Sequence, residues 1–313
     1  MQLDKTAIAI TQRNLDEILD LSLSVLRRYG ARLLIVAFLG ALPFAIINAL
    51  LLSSRTISGG YVLDTYDRAV FLFWMAALVY VESPLAMAPV TMVLGNMMFG
   101  IASTKGELRS TMRKQWFPIV WIMSILRGVI PLMTLIFLVE FVSYDRSFAT
   151  GIGTFWICLL LVIVFLVRGF RPFTPEILLL ERCPWYARRK RGGNDEPTKS
   201  TITHTQRSAR IHQNGGELLL TTILVGMVAF FFLGVLIVSS ITLVGSVAGA
   251  WSWGWWMDWF LYPLALWIVA FWGTIVRFLI YMNMRIRGEG WELELKLKAE
   301  ARRFLEAKER HLV

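Results

Sequence analysis

Six apolar stretches, each long enough to cross a lipid bilayer, alternate with stretches that hold nearly all of the basic residues, and this alternation restricts the fold more than any other feature. A helix needs about 20 apolar residues to traverse roughly 30 Å of hydrocarbon. The stretches run over 32–53, 69–101, 117–141, 151–169, 217–245 and 256–283. Backbone polar groups cannot be left unsatisfied in lipid, so spans of this length and composition are read as α-helices. The predicted class is therefore an all-α integral membrane protein with six transmembrane helices.

Charge sets the expected orientation. All but five of the 32 Lys and Arg fall in 1–32, 102–116, 168–216 and 284–313. Of the five exceptions, Arg55, Arg68 and Arg146 are in the three other loops, and Arg127 and Arg277 are inside spans. The positive-inside rule then predicts both ends in the cytosol. The first apolar run follows Arg27, Arg28 and Arg32 and is longer than a signal-peptide core, so it is expected to remain as an anchor. Localisation to the cytoplasmic (inner) membrane of a prokaryote follows as an expectation. The net charge of +10 is read as cations meeting anionic lipid headgroups at the cytosolic face. No aromatic residues interleave with the basic run 188–191, so nucleic acid is not expected as a partner. Five of the 13 Trp lie at 251–259, where an interfacial belt is favoured over a platform for stacking a ligand.

Three further segments are expected outside or across the spans. In 1–31, Asn14, Asp16 and Glu17 open a helix that Arg27, Arg28 and Gly30 close, giving an amphipathic interfacial helix that bends at Gly30. Within the cytosolic loop 170–216, Thr174 as cap and Pro175 at the first helical position predict a short interfacial helix; the stretch from 188 to about 207 is predicted to be mobile. The charged tail 284–313 is predicted to be helical from Glu292 onward. The second span contains Pro84 and Pro89, so a kinked helix is expected there, with two half-helices as the open alternative.

Chemistry is sparse. His204, His212 and His311 are in cytosolic segments, and their spacing with Cys183 fits no compact zinc finger. Cys158 and Cys183 are read as packing residues. Neither a metal nor a cofactor is expected, and no catalytic motif is present. The unusual residues are ionisable groups at bilayer depth: Glu82, Arg127 and Arg277, with Glu140 near the outer edge. Such groups cost at least about 2.5 kcal/mol at a helix centre and usually face a partner or a wet cavity. Counting about 1.5 Å per residue puts Glu82 and Arg127 at similar depth, which predicts that they pair; Arg277, near the inner end, can snorkel. Glu176 and Glu181 are expected at headgroup depth.

The segments Leu15–Leu19 with Arg27–Tyr29, Pro175–Arg182, Arg207–Ser208 and Met284–Glu294 together resemble a broad group of prokaryotic six-span proteins similar to the membrane domain of glycerophosphoryl diester phosphodiesterases. These residues include no soluble phosphodiesterase barrel, and none of them matches a catalytic position, so the resemblance implies a fold and no activity. The leading expectation is a non-enzymatic scaffold or partner-binding subunit that engages a membrane or cytosolic protein. A lipid- or amphiphile-handling protein with a polar intramembrane cavity is second, and an enzyme acting on a lipid headgroup is third.

Overall fold

A computed structural model describes residues 11–56, 65–98, 119–130, 172–181, 203–212 and 215–289, together with the single positions 106, 110, 113, 117, 133 and 134. Among the described residues every element is a helix and none is a strand. Helix α1 is Leu15–Thr56, α2 Thr65–Ala86 and α3 Ala88–Met98. A π-helix over Val120–Val129 forms α4. Helix α5 opens as Thr174–Glu176 and continues as the π-turn Ile177–Glu181. Helices α6 and α7 are His204–Ile211 and Gly215–Ala248. Helix α8 begins with the π-turn Met257–Leu261 and runs on through Tyr262–Glu289.

Among the described residues three helices are long and apolar enough to cross a membrane: Leu15–Ser53, Gly216–Ala248 and Met257–Gly288; a fourth is added if the bent pair Phe71–Ala86 and Ala88–Met98 counts as one. The bend between α2 and α3 is 41°. Its cause is local: Pro84 sits inside α2, and Pro89, two residues past the break, has no N–H to close the turn. Gly40 of α1 lies against this break, where an added Cβ would collide with the Ala86 carbonyl. Of the other expected spans, 117–141 is described only in part and 151–169 lies outside the described residues, as do Glu140 and the tail beyond Glu289.

Helix α8 is the centre of the packing. It touches α1, α2, α3, α6 and α7, and Ile275, Val276, Phe278 and Tyr281 are fully buried on it. Helix α7 is peripheral, with Phe230 79% and Phe231 73% exposed. Hydrogen bonds fix the relative directions of the helices. At one end, the base, the Arg13 amide donates to Asn283 Oδ1 (3.0 Å) and Arg287 reaches Glu217 (2.9 Å), so α1 and α7 start where α8 finishes. At the opposite end, Tyr262 Oη donates to the Leu72 carbonyl (3.2 Å) and Arg68 lies 3.4 Å from Asp258, which also accepts from Trp253 Nε1 (2.6 Å).

Three local expectations are corrected. The chain does not break at Gly30, since α1 runs through it without interruption; Ala31, Arg32, Leu33 and Leu34 are good helix formers that carry the ladder on. Helix α5 starts one residue earlier than its capping pattern suggested, behind Phe173, which supplies no side-chain cap. Packing sets that start: Phe173 is buried against Tyr281 and His212, and Thr174 to Leu179 are buried while Leu180 and Glu181 are half-buried. The stretch expected to be mobile, 188 to about 207, overlaps at its end the helix His204–Ile211, which a Thr203–Gln206 capping box holds; 188–202 lie outside the described residues.

Candidate functional site

On α8, Arg277, Tyr281 and Arg285 are spaced four apart and so share one face. That face meets α5, which carries Glu176 and Glu181. Residues five apart diverge by about 140° in an α-helix, but the wider i→i+5 closure of a π-turn brings them toward the same side. The π-turn Ile177–Glu181 therefore lets two carboxylates face one stripe. Arg277 Nε donates to Glu176 Oε1 at 2.7 Å. Tyr281 Oη donates to Glu181 Oε1, and Arg285 Nε lies 3.5 Å from the same oxygen. Arg207, from α6, closes the group with a two-pronged contact, its Nε on Glu181 Oε2 and its Nη2 on Oε1 at 3.0 Å. The Arg285 guanidinium also lies 5.9 Å from the centroid of the Tyr281 ring.

The two carboxylates differ in setting. Glu181 is saturated, with two guanidinium groups and a phenol around it. Glu176 is 0% exposed, yet its second oxygen has no hydrogen-bond partner among the described residues, and neither has Arg277 Nη2. A buried polar atom without a partner costs about 1–3 kcal/mol. Beside this pair is a cavity of about 230 Å³ between α2, the start of α5, α7 and α8. Arg277, Ser83, Thr222 and Thr274 line it, and Gly226 of α7 and Gly273 of α8 bring no side chain to fill the gap. That volume equals about eight waters in the liquid.

Arg277 therefore does not snorkel alone, as its position near the end of a span suggested; it is paired with Glu176. Glu82 accepts from Asn48 Nδ2 of α1 at 2.7 Å. Asn48 is 0% exposed, and its Oδ1 has no partner among the described residues. The backbone of Arg127 belongs to α4, which packs on α2, while its side chain lies outside the described residues. Sequence reasoning missed Asn48, Arg207, Tyr281 and Arg285. The 277/281/285 spacing was a usable signal for the last two; Asn48 and Arg207 have no local signature. Among the described residues no three of His, Cys, Asp and Glu converge as a metal site would need. The Trp cluster divides: Trp251, Trp255 and Trp256 are exposed, whereas Trp253 is spent on Asp258.

No family model matches this chain, and neither does any curated protein or any solved structure.

Proposed function

We propose that the chain is a multi-pass protein of a bacterial cytoplasmic membrane, six-span with both ends cytosolic, that accommodates an amphiphile between its helices. The observation that carries this reading is the cavity of about 230 Å³ lined in part by Arg277, which is ion-paired behind it with Glu176. A slot with charge and hydroxyls at one end and Gly226, Ala229 and Ala270 at the other matches a head-and-chain molecule. The orientation is supported by the grouping of helix ends. Arg13 and Arg287, both in segments expected in the cytosol, meet at the base with Glu217, the first residue of the fifth expected span, and Arg68, in a loop expected outside, meets Asp258 near the outer start of the sixth at the opposite end. The likeness to membrane domains of glycerophosphoryl diester phosphodiesterases stays part of the proposal and brings no activity with it.

A scaffold role comes second; the exposed apolar length of α7 favours it, but surrounding lipid accounts for that surface equally well. An enzyme on a lipid headgroup is third, because Glu176 and Glu181 are both committed to guanidinium groups. Native mass spectrometry after gentle extraction tests the leading reading. A Cβ at Gly273 meets nothing within 4 Å, so Gly273→Leu can fill the cavity without displacing backbone. Wild type should retain lipid adducts that Gly273→Leu loses. Equal retention by the two proteins would overturn the reading.

A further inference from the structure

Arg277 meets the cavity with only part of its guanidinium. Nε donates to Glu176 Oε1 at 2.7 Å, and Nη2 is buried. Nη1, with two N–H donors, is therefore the part that an occupant can reach, on a side chain 20% exposed. The Ser and Thr hydroxyls of the lining add no donor. Thr221, Thr222 and Thr274 each give their proton to the carbonyl four residues back in their own helix (2.8 Å in all three), and Ser83 gives its to the Tyr80 carbonyl (3.1 Å). An occupant must then bring an acceptor to Nη1. Charge decides which acceptor: Glu176, 0% exposed, already holds the Arg277 cation, and a second ion of either sign would enter a medium of low dielectric without a counter-ion. Volume decides the rest, because about 230 Å³ holds about eight water-sized groups, enough for a head and part of one chain but not for two chains.

We propose that the cavity takes an uncharged lipid with a single acyl chain, whose ester carbonyl accepts from Arg277 Nη1 and whose chain runs past Gly226 and Gly273. This rests on the reading that the cavity holds an amphiphile. Glu176 is then the fixed counter-ion that keeps Arg277 charged, and so a strong donor, while the pair as a whole stays neutral toward the ligand. A site that offers a donor discriminates against an analogue without the matching acceptor, because occupation then takes that donor out of water and leaves it unbonded.

Four probes with chains of equal length separate the contributions. Monopalmitoylglycerol is the uncharged ester, and hexadecylglycerol is its ether, which lacks only the carbonyl oxygen. Hexadecyl sulfonate is an anion at any working pH, and hexadecyltrimethylammonium is a cation. Delipidated protein titrated with each in detergent and read by native mass spectrometry should bind the ester about tenfold more tightly than the ether, and more tightly than either ion. Arg277→Leu with Glu176→Leu removes the donor and its counter-ion together and should bring ester and ether to the same affinity. Equal binding of ester and ether by the wild type would overturn the carbonyl contact whether or not the double variant folds, and a preference retained in that variant would overturn the role of Arg277. Tightest binding of either ion would overturn the charge argument. In each of these cases adducts lost in Gly273→Leu would leave the amphiphile reading standing. If no adduct of any probe responds to Gly273→Leu, that reading itself has failed.

Discussion

Arg277 and Glu176 are 101 residues apart in the chain and 2.7 Å apart in space. The contact ties the central helix to the buried start of the short helix α5. It also places a buried charge where its removal is felt from two directions, since the carboxylate has no exposure with which to recover solvation. Four consequences of this packing can be measured.

Breaking the pair from one side strands a charge, an effect of about 3–5 kcal/mol in buried pairs, whereas replacing both members by apolar residues is often tolerated. Arg277→Leu and Glu176→Leu should each lower the Tm in detergent by several degrees, and the double variant should regain much of the loss. A thermal-unfolding cycle on the four proteins checks this. Strictly additive losses would mean that the contact contributes no coupling.

Two glycines of α1 should respond oppositely to the same substitution. Gly30 has open space around a new Cβ, so Gly30→Ala should stabilise by about 1 kcal/mol through helix propensity. At Gly40 the new Cβ would meet the Ala86 carbonyl, which is backbone and cannot rotate away, and a loss of about 1–3 kcal/mol is expected. Thermal unfolding of the two variants would show shifts of opposite sign.

Glu82 tests whether one donor suffices for a carboxyl group deep in a helix. Asn48→Leu removes its donor and should destabilise by about 1–3 kcal/mol, while Glu82→Gln should be tolerated better. Arg127, predicted to pair with Glu82, enters through Arg127→Leu. If the two interact, Arg127→Leu and Glu82→Leu combined should cost less than the sum of the single losses; a plain sum would leave Asn48 as the partner that matters.

Orientation is accessible to chemistry in whole cells. In a chain lacking Cys158 and Cys183, single cysteines at Ser58 and Ser252 should react with an impermeant maleimide, and one at Gly193 should not. Labelling confined to Gly193 would invert the proposed topology.

Helix length and position were legible where apolar composition alone decides them. The stretches 217–245 and 256–283 become Gly215–Ala248 and Met257–Glu289, because hydrophobic length is a property of the local chain. The kink was legible for a similar reason: Pro84 and Pro89 act on their own turns, and the break falls between them at Met87. Gly30 misled because a glycine ends a helix only when the following residues cannot continue it. The Thr203–Gln206 capping box was readable but hidden in a polar, Gly-containing stretch that looked structureless as a whole. The site was half visible. Glu176, Glu181 and Arg277 stand out as charges at the edge of hydrophobic runs, but their pairing joins positions about a hundred residues apart. It also depends on a π-turn for which the sequence has no marker. Asn48 could not have been singled out, since one amide in an apolar helix looks the same whether it meets a carboxylate or lipid.

The contact between Glu181 and Arg207 joins residues 26 apart and so closes the intervening stretch into a ring whose two ends are anchored to the bundle. For a ring of that kind, closure entropy grows only with the logarithm of length, and doubling it costs about 0.6 kcal/mol. The clasp between Glu181 and Arg207 therefore tolerates a change in the number of residues that separate its two ends, since even a doubling shifts its closure cost by less than the ion pair's own two-pronged contact can hold.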